Sequence, residues 1–296
     1  LLAALVGCVA PSVAPVVCAP LARGLDLLFA LPALAMRLPL ASTEAPPPTP
    51  AQAVCVLAIA LFSLRFSRRI RFVCALFALC VVGLLEARHR ARVRPTGVLR
   101  VTALDVGQGD ALLIDLPDGE AMLIDAGGAL FAGGDPERDP GARIVVPVLA
   151  DRRRRYLALV VASHPHPDHI GGLPAVLSWA RVGSLWDTRQ GERPAHESAA
   201  YVALRAAARA RGVTVRGPDE VCGAPRSFHG ATLEVLAPCP GVRAGDGPND
   251  ASFVLRVSHG ATSVLLPGDL EARGERALLE RGAVERVTLL KLGHHG

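Results

Sequence analysis

The sequence predicts a mixed α/β domain of about 200 residues behind a strongly apolar, membrane-type region. Three observations carry this. Apolar residues make up 51% of the 296-residue chain and charged residues only 20%, too greasy for an average soluble domain. Charge is unevenly divided: residues 1–94 hold ten arginines against Asp26, Glu44 and Glu86, a net +7, which leaves −2 of the chain's +5 for the remainder. From Val98 onward, short β-rich runs alternate with helical stretches. Disordered and disulfide-scaffold classes are excluded, since apolar content is high and cysteine is 7 in 296. The basic balance belongs to the apolar half and is not a nucleic-acid footprint on the polar half. The chain opens on Leu1 with no signal-peptide pattern and closes on HHG, and it reads as an internal fragment of a longer protein.

Residues 1–22 carry no charge and are long enough to cross a bilayer. Pro11, Pro15 and Pro20 would kink such a helix, which membrane helices tolerate. Residues 24–40 contain Asp26 and Arg37 and read as an interfacial helix, ended by the proline-rich 42–50. Two further apolar segments, about 51–67 and 70–87, meet at the basic turn RFSRRIR. Their apolar runs fall short of the roughly 20 residues of a usual span. Flanking arginines that snorkel favour a membrane hairpin over a buried helix pair. Arginines stand at both ends, so the positive-inside rule gives no orientation. The region 1–94 is thus expected to be membrane-embedded, with Cys8, Cys18, Cys55, Cys74 and Cys80 as small hydrophobes.

The polar half spans 98–296. Strands are expected at VLRVTAL (98–104), ALLIDL (111–116), AMLIDA (121–126), YLALVVA (156–162), ATSVLLP (261–267) and RVTLLKL (286–292). Helices are expected at 197–211 and 270–281, where strong helix formers dominate.

SHPHPDHIGG (163–172) follows a strand directly and crowds His164, His166, Asp168 and His169 into six positions. Alternation puts His164 and His166 on one side of an extended segment, within reach of one metal ion, and turns Asp168 and His169 toward a second. A solvated turn does not need four ligand types at this spacing. A two-metal centre needs further ligands, one of them a bridging oxygen. LLPGD sets Asp269 beyond a later strand, and LKLGHHG sets His294 and His295 beyond another. An ordinary helix N-cap is the alternative for Asp269. Lys291, the only lysine, directly precedes HHG and can hold a phosphate oxygen as a point charge; a solvent-facing strand lysine is the alternative.

HxHxDH, then GD, then a His-containing loop resembles the metallo-β-lactamase fold, an αββα sandwich with a dinuclear metal site. More narrowly, LDVGQGDALLIDLPDGEAMLIDAGG, SHPHPDHIGG, NDASFVLRV, LLPGD and LLKLGHHG resemble, in order, the C-terminal domain of ComEC-type DNA-uptake proteins. The resemblance implies two divalent ions, Zn²⁺ or Mn²⁺, held by His164, His166, Asp168, His169, Asp269 and His295. Asp269 would bridge, and His294 would face the substrate. Either of the adjacent histidines fits the ligand role. Asp125 would orient the histidine loop, and Asp105, Gln108 and Asp110 lie in a loop near the site with no role assigned. The wider superfamily has another ligand histidine before the bridging aspartate. Here Asn249 of GPNDAS stands in its place, with His229 and His259 as alternative donors. Family members continue beyond HHG, so the fold is expected to be C-terminally incomplete.

Metal-assisted hydrolysis by a metal-bound hydroxide is the implied chemistry, with DNA as substrate, either single-stranded or the strand being degraded. Membrane lipid and other uptake components are the implied partners. The implied setting is a multi-pass protein of the bacterial inner membrane with the hydrolase on the periplasmic side. The alternatives are a cell-surface phosphodiesterase or other hydrolase of this fold, and a transport component with a vestigial hydrolase. In a periplasmic domain, Cys222 and Cys239 are expected to be able to pair.

Overall fold

Two helices lead into the domain. The computed structural model describes residues 47–128 and 139–294 together with Ala19 and Asp26; the rest of the expected segments 1–22 and 24–40, and His295, lie outside the described residues. The chain divides into two units, Leu1–Pro46 and Pro47–Gly296, so this helix pair and the α/β domain belong to one unit. Helix α1 (Pro50–Ser63) opens on a capping box, in which Thr49 accepts from the Gln52 amide and Gln52 from the Thr49 amide. Helix α2 (Arg68–Val93) runs 26 residues, further than the apolar run 72–85 foretold. ARHRARV is built of good helix formers, and nothing interrupts it before Pro95. Among the described residues α2 is the one helix long and apolar enough to cross a bilayer, with a mean hydropathy of 2.2 over its apolar window and none of that window buried. At 14 residues, α1 is too short by itself.

The domain stacks two sheets. The first runs in the order β1 (Arg100–Ala103), β2 (Leu112–Asp115), β3 (Ala121–Ile124), β5 (Leu159–Ala162), β7 (Leu185–Asp187), β8 (Val215–Arg216). Strands β1 to β3 are antiparallel and β3, β5, β7 and β8 are parallel. The expected strand 156–162 is split at Ala158, and its first part, β4 (Tyr156–Leu157), leaves to pair with β6 (Arg181–Val182). The second sheet is β13 (Leu289–Leu290), β12 (Thr262–Leu266), β11 (Val254–His259), β10 (Ala231–Ala237), β9 (Arg226–Phe228). The expected strand 286–292 contracts to the two exposed residues of β13 at that sheet's edge.

Alternation along the strands builds the layers. Leu112, Ile114, Met122, Ile124 and Val161 meet Leu233, Val235, Phe253, Leu255 and Val264 between the sheets. Leu113, Leu123 and Val160 face the other way, onto helices 146–151, 173–179 and 199–210. On the outer face of the second sheet, Leu236, Val254 and Leu265 pack on Leu270, which precedes helix 272–280, and on Leu278 within it. Helices, sheet, sheet and helix make the expected αββα sandwich. Cys222 and Cys239 form a disulfide with Cα atoms 5.7 Å apart.

Candidate metal centre

The ligand-type loops gather at one edge of the sandwich: those of Asp125 and the histidines follow β3 and β5 of the first sheet, and those of Asp269 and His294 follow β12 and β13 of the second. Asp125 ends β3 at φ 57, a left-handed turn that aims its carboxylate under the loop after β5. Its Oδ1 accepts the Ser163 amide at 2.8 Å, and its Oδ2 accepts the Ser163 hydroxyl at 2.6 Å and His169 Nδ1 at 2.9 Å. The Ser163 hydroxyl also lies 3.0 Å from His164 Nδ1, so the His164 ring is oriented from behind. The opposite ring nitrogen, His164 Nε2, is buried with no hydrogen-bond partner. It sits in a cluster with His169 and Asp269 whose ligand atoms all lie within 4.8 Å of one another. Two glycines permit this approach. A β-carbon on Gly109 would fall 1.8 Å from the Asp168 carbonyl oxygen, and one on Gly128 1.8 Å from that of Pro167.

Electrostatics around the cluster favour a cation. Burial opposes a charge on His169, but its hydrogen bonds to Asp125 and Asp269 prevail and push it up to about 10. Burial disfavours the Asp269 carboxylate, yet the His169 hydrogen bond and charge, with Lys291 beside them, hold it well below the usual range. Burial, reinforced by the His169 charge, drives His164 well below an ordinary histidine, so it presents a neutral nitrogen. A neutral imidazole, a carboxylate and a proton on His169 Nε2, 3.1 Å from Asp269, form a donor set that fits a divalent ion in that proton's place. With metal chelated, the raised His169 should stabilise the fold fully below its unfolded value near pH 6.5, with the benefit lost as pH rises through about 10. Thermal melts of chelated protein should fall across that window, and His169→Asn should flatten the fall. An unchanged slope would remove the His169 cation.

Lys291 joins this edge. Its ammonium donates to the Gly268 carbonyl at 2.8 Å, lies 3.5 Å from Asp269 Oδ1, and pairs with Asp110. The solvent-facing strand lysine is therefore corrected, and Asp110 is joined to the site through it. The GD dipeptide places Asp269 through Gly268, at φ +59, with the Asp269 amide on Ser252 Oγ at 3.3 Å. Helix 272–280 takes Glu271 as its N-cap, so Asp269 is not that cap.

The remaining residues sit around the rim. The His166 ring meets His164 edge-on at 4.7 Å, and Asp168 is half-buried in the following turn. Asn249 donates to Glu271 Oε1 at 2.7 Å, and His294 Nδ1 lies 3.1 Å from the same oxygen. Asp105 and Gln108 are exposed. His229 pairs with Asp118 at 2.5 Å, and His259 contacts the Gly230 and Gly97 carbonyls at 3.1 and 3.3 Å. Both lie at the opposite end of the sheets, which corrects their reading as alternative donors. β11 meets the site at its start, where the Phe253 amide binds the Ser163 carbonyl, and carries His259 away from it. The sequence reading missed Ser163 and also His196, whose Nδ1 is buried without a partner and whose charge bears on His166. A serine before a histidine and a lone histidine in a loop give no local signal.

A family model for the metallo-beta-lactamase superfamily matches residues 104–295. The chain belongs to that superfamily. ComE operon protein 3 of Bacillus subtilis (strain 168) is 30% identical over 207 residues, 66% of this chain and 25% of that protein. Recombination protein 2 of Haemophilus influenzae is 29% identical over 200 residues, 67% of this chain and 21% of that protein. The similarity to the ComEC-type C-terminal domain is thereby shown over the metallo-β-lactamase region. The chain spans about a quarter of the length of these curated relatives. A Cronobacter sakazakii metallo-β-lactamase with a HARLDQ motif aligns over 66% of this chain and 75% of its own, at 17% identity and a TM-score of 0.38.

Proposed function

We propose that this chain carries the hydrolase part of a bacterial inner-membrane DNA-uptake protein, and that this part cleaves the phosphodiester backbone of DNA. The observation that carries the reading is the buried His164–His169–Asp269 cluster with the Lys291 cation beside it. His164 and His166 would hold one Zn²⁺ or Mn²⁺, Asp168, His169 and His295 a second, and Asp269 both. Bound there, the ions would stabilise charge on the phosphoryl oxygens. Asp125 and Ser163 fix the histidine rings, and Lys291 offers a phosphate oxygen a point charge. Asn249 and His294, joined through Glu271, form the rim that a nucleotide meets.

The similarity to ComE operon protein 3 and Recombination protein 2 supports DNA, single-stranded or the strand being degraded, and other uptake components as partners. The length and exposure of α2 support a membrane region over 1–94, with lipid around it. The Cys222–Cys239 disulfide supports a periplasmic domain, since such bonds persist in oxidising compartments. With −2 outside the apolar half, grip on DNA must come from local arginines. The full chain in detergent with Mn²⁺ or Zn²⁺ should nick or degrade a labelled oligonucleotide, and EDTA should stop it. Stoichiometric metal with intact DNA would overturn the nuclease.

A further inference from the structure

The edge of the domain opposite the metal-site loops carries an arginine density that hydrolysis does not use. β1 runs from α2 toward the DVGQGD loop, β2 returns to Asp115, and β3 runs out again from Ala121 to Asp125. The four steps from Ala121 to Asp125 separate the two edges by about 13 Å of strand. Residues 86–100, 115–120 and 151–155, which gather at the α2 edge, hold nine arginines against five carboxylates.

Buried charge, not a loose linker, fixes α2 to this edge. Arg153, with a side chain 2% exposed, grips Glu86 through both oxygens at 2.9 and 3.0 Å. Arg100 donates to the Val93 carbonyl at 2.7 Å, and His89 Nε2 meets the Asp151 carbonyl at 2.8 Å. From Glu86 to Val93 the helix rises about 10 Å, close to the depth of one headgroup layer. Just beyond the uncovered apolar stretch of α2, Arg88, Arg90 and Arg92 are exposed.

We propose that this edge, with Arg88 and Arg92 at its centre, seats on the phosphates of anionic lipid headgroups and holds the metal-site loops away from the bilayer. The site then draws its substrate from the aqueous phase and not from the lipids around α2. The inference rests on the membrane reading of α2 given above. The charge excess supplies attraction to an anionic surface, and the Glu86–Arg153 pair converts that attraction into one orientation.

The two tryptophans report it. Trp179 is at this edge, its ring 4.1 Å from the Arg155 guanidinium, while Trp186 is buried between the sheets. The full chain is reconstituted in nanodiscs of brominated or plain phosphatidylglycerol, as Trp186→Phe and as Trp179→Phe. Bromine should quench Trp179 and spare Trp186. Arg88→Ala/Arg92→Ala should lower phosphatidylglycerol enrichment over phosphatidylcholine in extracted lipid at least about fivefold. Unquenched Trp179 in bilayer-retained protein overturns the orientation, and unchanged lipid enrichment overturns the headgroup contact. Release of the chain by alkaline carbonate would remove the membrane reading itself, and the inference with it.

Discussion

Asp269→Ala is expected to lower hydrolysis by more than about 100-fold and to reduce bound metal towards one ion or none. Asp269 is 2% exposed and faces three groups that each carry or attract positive charge: His169 at 3.1 Å, Lys291 at 3.5 Å, and the His164 ring within the same cluster. Removing the carboxylate leaves Lys291 and two neighbouring metal ions with no shared negative charge between them, so the loss falls on the pair of ions more than on either alone. His164→Ala removes one neutral nitrogen and should empty mainly the position that it serves. Both side chains sit on loops beyond strand ends, so far-ultraviolet circular dichroism should change little in either variant. Elemental analysis beside the oligonucleotide assay decides the matter. Two retained ions with near-normal turnover in Asp269→Ala would place the metal elsewhere.

The sequence made this part of the molecule legible because ligation needs particular residue types close together. SHPHPDHIGG and LLPGD each follow directly on a strand with a β-branched or leucine-rich core, and that adjacency puts both motifs at strand C-terminal ends. What the residues could not disclose were contacts between distant segments with no local pattern. Asp110 meets Lys291 across 181 positions of sequence. Ser163 serves Asp125 and His164 at once, yet beside four ligand-type residues it reads as spacing. The length of α2 was hidden differently: counting apolar residues stops at the first charges, whereas helix propensity continues through Arg88–Val93. The disulfide was open to expectation only because two cysteines stood apart from the apolar five.

The largest stability loss is expected at a residue that sequence reading passed over. Asp115 ends β2 fully buried and receives three arginines: Arg100 and Arg154 at 2.6 Å and Arg152 at 3.3 Å. Arg154 itself is 1% exposed, and it also donates to the Gly119 carbonyl. Its Nε already lacks a partner, and burial lowers the guanidinium from its ordinary value. Asp115→Ala would leave these cations facing one another, with the Arg154 guanidinium cut off from water and from its carboxylate. Breaking a buried pair by removing one partner costs about 3–5 kcal/mol, which lowers the melting temperature of a domain this size by about 10 °C or more. Arg152→Ala should cost much less, because Asp115 keeps two arginines and the lost side chain is 19% exposed. Arg154→Ala should fall between them, since it removes a buried cation but leaves the carboxylate paired. The order can be read from thermal melts of the full chain followed by tryptophan fluorescence. Equal losses in all three variants would mean that packing of the arginine stems, and not the shared carboxylate, holds this edge of the sheet together.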